Sequence, residues 1–185
     1  MIDDVYNECK SGMEKSIANL GRELMKIRTG RANPAILEGI RVDYYGTPTP
    51  INQMATVSVP EHRLIVIAPW EQPKCNDIVR AIQSSDIGLN PQSDGKVVRI
   101  AFPPLTEERR KELVKQVKKI GEEHKVAVRM ERRDANEMLK ALQKDGDITE
   151  DDSHKGTERI QKLHDDYIKK VDEVIARKET EILEI

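Results

Sequence analysis

Seven basic side chains recur along one stretch of this chain at intervals that a helix would bring to one side. Placed at about 100° per residue, Lys111, Lys115, Lys118, Lys125, Arg129, Arg132 and Arg133 fall within a sector of roughly 120°. A row of ammonium and guanidinium groups is chemistry for phosphates, because each contact releases a condensed counterion, and a guanidinium fork can span two oxygens at once. Ile120 and Met138, with Ala127 close by, lie opposite and predict the side that packs. Glu122 interrupts the ridge. From these residues alone two readings stand, a solvated face of a helix bundle and a phosphate-binding rail.

Other chemistry finds less support. His62, His124, His154 and His164 form no HExxH pair and have no Cys or Asp grouping at ligand spacing, so neither a metal nor a cofactor is expected. His124 reads as a bundle-facing or boundary residue. No phosphate-cradling glycine loop, dinucleotide fingerprint or GxSxG elbow is present, and proximity among 33 acidic residues selects no catalytic pair. If the task consumes a nucleotide, a partner hydrolyses it. Cys9 and Cys75 stand far apart without a CxxC, as in a reducing compartment.

The elements that position the ridge follow from charge and periodicity. The 185 residues carry 31 Lys and Arg against 33 Asp and Glu, a net charge of -2, so any polyanion contact must be local. Residues 106–144 hold 12 basic and 8 acidic side chains, whereas 145–185 hold 7 and 13. The basic surplus belongs to one helix. Only 37% of residues are apolar and 35% are charged, as expected of long helices with one packed stripe. The opening MIDDVYNECK lacks the features of a secretory signal, and no apolar run approaches about 18 residues. These features predict a soluble, cytoplasmic protein without a membrane partner.

Ile2, Val5, Cys9, Met13, Ile17, Leu20, Leu24 and Ile27 recur every three or four residues and predict a first helix that ends at Gly30 and Pro34. The prolines all lie between Pro34 and Pro104, among short β-branched runs at Ile40–Tyr44, Thr56–Val59 and Leu64–Ala68. Pro73–Ile82 reads as a short helix, and residues 86–102 read as turns followed by a strand. Tyr44 and Tyr45 before Gly46 fit a strand face and a turn, and Trp70 ends a strand or offers a docking surface. After Pro104, Thr106 can cap a helix that begins with Glu107 and Glu108 and runs through Leu113, Val117, Ile120, His124, Ala127, Met138 and Leu142 to Gly146. At ~1.5 Å per residue it would span about 57 Å. Thr149 and Asp152 form a capping box for a third helix, whose stripe of Ile160, Leu163, Tyr167, Val171, Val174, Ile182 and Ile185 is broken by Lys178.

These elements predict an α+β protein: a discontinuous three-helix bundle from residues 1–30 and 105–185, with a small β/α/β domain, 31–104, inserted into it. Two chain crossings would permit a hinge while restraining it.

Five ordered segments carry a resemblance over essentially the whole chain: KIRTGRANPAIL at Lys26–Leu37, VDYYGTPTPINQMA at Val42–Ala55, SDIGLNPQSDG at Ser85–Gly95, PPLTEERRKELVK at Pro103–Lys115 and VAVRMERRDAN at Val126–Asn136. In these the sequence closely resembles the ribosome recycling factor family. The resemblance implies an elongated three-helix bundle and a small domain arranged as an L. It also implies a non-enzymatic, monomeric factor that binds the 70S ribosome after termination, chiefly through large-subunit rRNA. The translocase elongation factor GTPase acts with it to split the subunits, and an initiation factor acts afterwards. Arg28, Thr29, Gly30, Arg31 and Ala32 with Pro103, Pro104, Leu105 and Thr106 correspond to the paired hinge. Arg129, Arg132 and Arg133 correspond to an arginine cluster that contacts rRNA, Arg132 foremost. Lys118 and Lys125 extend that ridge, and Arg28 and Arg31 are second-rank candidates. Met130 stands where the family pattern has Asn, and neighbouring Glu131 is expected to turn toward the bundle and pair with a basic residue there.

Overall fold

The structure is a computed structural model that describes residues 1–184. Two compact units divide the chain, one comprising Met1–Arg28 and Glu107–Glu184, the other Thr29–Thr106.

The first unit packs three helices pairwise, α1 (Ile2–Met25), a second formed by Glu107–Asp145 and a third formed by Glu150–Leu183. Helix α1 buries Val5, Cys9, Met13, Leu20 and Leu24 of the expected stripe, but Ser16 is buried while Ile17 is half-buried. The helix ends at Met25, short of Gly30, so that buried Ile27 follows it. Asp3 and Asp4 occupy the first turn, where free N–H groups favour negative charge. Gly12 is a close-approach position: a Cβ there would meet the carboxylate of Glu131. Glu131 thus turns toward the bundle as expected, but it fills a notch on α1 and forms no ion pair among the described residues.

The Glu107–Asp145 helix is 39 residues long. Its packed side differs from the expected one. Met138 is 41% exposed, and Ile120 and Ala127 are only half-buried. The buried face runs through Leu113, Val117, Gly121, Val128, Ala135 and Leu139, about 70° round the wheel at about 100° per residue. The cause is side-chain size. Gly121 is a point of close helix approach, where a Cβ would stand 2.7 Å from Ile175 Cγ1, and small Ala135 is buried on the same face. A count of large apolar residues discounts such positions.

A Schellman turn ends this helix: Gly146 adopts φ 84°, its N–H donates to Gln143 O, and Asp147 N–H donates to Leu142 O. The Thr149–Asp152 capping box then opens the last helix, with both reciprocal hydrogen bonds formed. That helix buries Ile160, Leu163, Tyr167, Val171 and Ile182, while Val174 is half-buried. Lys178 interrupts the stripe by pairing with Glu181 at 3.4 Å. Ile185 lies outside the described residues.

The second unit begins with the hairpin β1 (Arg41–Tyr44) and β2 (Thr47–Pro50). Tyr45 and Gly46 supply its two-residue turn, both at positive φ, and Asp43 Oδ1 accepts from Gly46 N–H. Pro48 and Pro50 conceal β2 from a propensity reading, yet in a two-stranded ribbon each can face away from the ladder. Strands β3 (Ala55–Glu61), β4 (Leu64–Pro69), β5 (Pro91–Ser93) and β6 (Val98–Ala101) form an antiparallel sheet in the order β3-β4-β6-β5. Helix α2 (Cys75–Ser84) contributes Cys75, Ile78 and Ile82 to a core shared with Val42, Ile51, Met54, Ile65, Ile67, Val98 and Ile100. The α+β class holds. In chain order, the two long helices of the first unit are α3 (Glu107–Asp145) and α4 (Glu150–Leu183).

Candidate nucleic-acid interface on the long helix

All seven basic residues of the ridge lie on α3, but the rotated core divides them into distinct environments. Lys111 pairs with Glu107 at 2.9 Å, and Lys118 lies 4.0 Å from Glu179 of α4. Lys125 is largely sequestered, its side chain 18% exposed and its Nζ 2.6 Å from Asp172 Oδ1 and 3.1 Å from Glu122 Oε1. Hydrogen bonds to Asp172 and then Glu122 raise its pKa above the ordinary lysine value. Lys115, Arg129 and Arg133 are exposed, and none has an ion-pair partner among the described residues.

Arg132 stands between these cases. It is half-buried at the α3–α4 junction, and its Nη1 donates to Gln161 Oε1 at 3.0 Å. Next to Arg129 and Arg133, Val126 and Met130 are 49% and 56% exposed, so apolar surface flanks the cations. Met130 therefore faces water and has no core role.

The second-rank candidates occupy other places. Arg28 lines a cavity of about 440 Å³ with Glu23, Lys26, Arg109 and Gln116 at the end of the first unit. Arg31 belongs to the second unit, where its Nη2 lies 3.3 Å from His62 Nδ1 beside a cavity of about 500 Å³ that Arg63 also lines. His62 accepts through Nδ1 in this contact, since a guanidinium only donates. Thr29 and Ala32 are buried, and Ala32 N–H donates to His62 O at 2.7 Å.

Among the described residues no three His, Cys, Asp or Glu side chains gather into a metal-binding group, and no helix is long and apolar enough to cross a membrane. His124 bridges α1 and α3, with Nδ1 3.3 Å from Ser16 Oγ and Nε2 3.5 Å from Glu23 Oε2. It is the boundary histidine the wheel suggested.

What the ridge alone could not reveal is the contribution of α4. Gln161, Asp172 and Glu179 meet Arg132, Lys125 and Lys118 from a helix dozens of residues away. The one signal available was the acidic surplus of residues 145–185, which marks α4 as a natural counterpart of a basic neighbour.

The geometry is that of a local cationic surface on one long helix. The sequence pattern of the family described as ribosome recycling factor matches residues 20–183. The ribosome-recycling factors of Desulfatibacillum aliphaticivorans and Staphylococcus saprophyticus are 56% and 55% identical over 184 residues, covering 100% of both chains. The solution structure of a ribosome recycling factor superposes with a TM-score of 0.76 at 42% identity, over 100% of this chain and 98% of the other. A second structural relative, at TM-score 0.64 and 44% identity over 99% of both chains, is the T. thermophilus ribosome recycling factor, described with E. coli elongation factor G bound to the E. coli post-termination complex. With a full-length match in sequence and both units matched in structure, this chain belongs to the ribosome recycling factor family.

Proposed function

We propose that this protein recycles ribosomes by anchoring α3 to large-subunit rRNA through Arg129, Arg132 and Arg133, while the second unit is displaced by the elongation factor G class of GTPase. The protein is a translation factor and not an enzyme, so nucleotide hydrolysis belongs to the partner. The observation that carries the anchor is that Arg129 and Arg133 stand exposed, without carboxylate partners among the described residues, on a helix whose other side is packed. Lys118 and Lys125 contribute less, because Glu179, Asp172 and Glu122 already compensate them.

Residues 28–32 and 103–106 form the paired hinge, and the load path is the close packing of α1, α3 and α4. Arg28 and Arg31 are secondary phosphate contacts. The factor acts as a cytoplasmic monomer on the post-termination 70S ribosome, and an initiation factor holds the separated subunits apart. The family relationship and the structural relative with elongation factor G support this reading.

Subunit splitting followed by light scattering, with the GTPase present or omitted, tests it. R132A is expected to slow splitting and weaken large-subunit binding, whereas E179A, which releases Lys118, is expected to weaken neither. Equal losses in the two variants would overturn the anchor. A disulfide introduced between the two units should preserve binding and block splitting. Normal splitting by the verified cross-linked protein would overturn the hinge.

A further inference from the structure

Arg132 differs from Arg129 and Arg133 in being held in the free protein. Its Nε is shut away from solvent without a partner, and Nη1 donates to Gln161 Oε1 at 3.0 Å. Gln161 uses the other half of its amide on Asp165, one turn along α4, donating from Nε2 to Oδ1 at 2.9 Å. Asp165 Oδ1 also lies 2.9 Å from Nδ1 of His164, which is buried. Hydrogen bonding first to His164 and also to Gln161, with Arg132 adding attraction, holds the Asp165 carboxyl below its ordinary pKa.

These contacts fix the orientation of the amide. Its oxygen must face the guanidinium and its nitrogen the carboxylate, since the flipped amide would set NH₂ against guanidinium and oxygen against carboxylate. The carboxylate is therefore linked to Arg132 through a neutral group. Lys125 shows the alternative, with its ammonium taken directly by Asp172 at 2.6 Å. Arg132 is steadied without being neutralised, and Nη2 makes no hydrogen bond to a described residue and stays open to solvent.

We propose that Gln161 is a positioning residue for phosphate binding, clamping one nitrogen of Arg132 so that the remaining edge of the guanidinium is aimed outward before the ribosome is met. This rests on the reading of Arg132 as an rRNA contact. The physical gain is preorganisation: an arginine has rotamer entropy to lose on binding, and the α3–α4 junction removes part of that loss from the binding step. His164 and Asp165 act one step further back, through the amide.

The test is a double-mutant cycle. Purified large ribosomal subunits are titrated into the parent protein, Q161A, R132A and the double variant at several salt concentrations. Q161A is expected to weaken binding about 2- to 5-fold, the scale of a solvent-exposed polar contact. It leaves the slope of log K against log salt unchanged, because no charge is removed. In the R132A background the same substitution is expected to change nothing. Gln161 is exposed, so the helix bundle tolerates its truncation.

A loss of equal size in both backgrounds would make Gln161 a general contributor and overturn the proposal. R132A weak with Q161A indistinguishable from parent would overturn the positioning role alone. An R132A protein that binds as the parent does would overturn both the positioning role and the anchor beneath it.

Discussion

The division of the α3 ridge into compensated and uncompensated cations makes a quantitative prediction about salt. Arg129→Ala with Arg133→Ala removes two exposed guanidinium groups that have no carboxylate partner among the described residues. Each lost phosphate contact should flatten the slope of log K against log salt by roughly 0.7 to 0.9, hence about 1.4 to 1.8 for the pair. Between about 50 and 200 mM salt, the ratio of parent to variant affinity should then shrink about 7- to 12-fold, with the defect greatest at low salt. Lys118→Ala with Lys125→Ala removes the same formal charge from groups already facing Glu179, Asp172 and Glu122. Their ion pairs must be given up before a phosphate gains, so the slope should move by less than about half as much. The assay is equilibrium binding to purified large subunits by fluorescence anisotropy across a salt series. If the lysine pair flattens the slope as much as the arginine pair, compensation by α4 does not decide which cations bind, and the reasoning fails.

Two further predictions concern the scaffold. A Cβ at Gly21 meets nothing within 4 Å, so Gly21→Ala should stabilise the bundle by about 1 kcal/mol through helix propensity. A Cβ at Gly156 would stand 2.9 Å from Cδ1 of fully buried Leu139, so overpacking of about 1–3 kcal/mol should cancel or reverse the same gain. Thermal melts should separate the two variants by several degrees in Tm, and identical shifts would refute the packing account. In the second unit, backbone N–H groups of Val97 and Lys96, with the Arg99 guanidinium, hold the Asp94 carboxyl well below the usual carboxylate range. A depressed folded pKa contributes stability that is complete above the unfolded value, near 3.9, and is lost as pH falls toward the folded one. Asp94→Asn should therefore be less stable than the parent at neutral pH, with the gap closing below about pH 4 in denaturant titrations; a gap that stays constant with pH would exclude the carboxylate as its source.

Local rules made much of this molecule legible. The Thr149–Asp152 box, the Gly146 stop and the Tyr45–Gly46 turn each depend on residues within a few positions of one another, and each forms as its residues imply; most of the α1 stripe does too, though the helix stops at Met25, short of Gly30. The failures are long-range or depend on small side chains. Strand β2 is held by β1 despite Pro48 and Pro50, which no intrinsic propensity favours. The packed face of α3 includes the small residues Gly121 and Ala135, and at Gly121 another helix comes within reach of a Cβ, so a stripe drawn through Ile120 and Met138 points to the wrong side. The ridge itself could be drawn from spacing, but its sorting into paired and unpaired cations could not, because the sorting groups lie on α4.

That sorting also bears on how a chain with net charge of -2 could present the proposed cationic anchor. Were the acidic surplus of α4 spread evenly over the surface, it would lower the potential at every point of the ridge. Instead Asp172 and Glu179 sit against the α3 cations that face the helix junction. Charges within a few ångströms act strongly on one another, while those beyond a Debye length, about 8 Å at physiological ionic strength, are largely screened. Asp172 and Glu179 therefore compensate Lys125 and Lys118, while Arg129 and Arg133, which form no ion pair among the described residues, stand exposed on the same helix. A uniformly basic protein of this size would hold RNA in many orientations, whereas the proposed anchor at Arg129 and Arg133 would couple binding to the direction in which α3 lies. Orientation of that kind is what a factor needs if a force applied to its second unit is to act along a defined line.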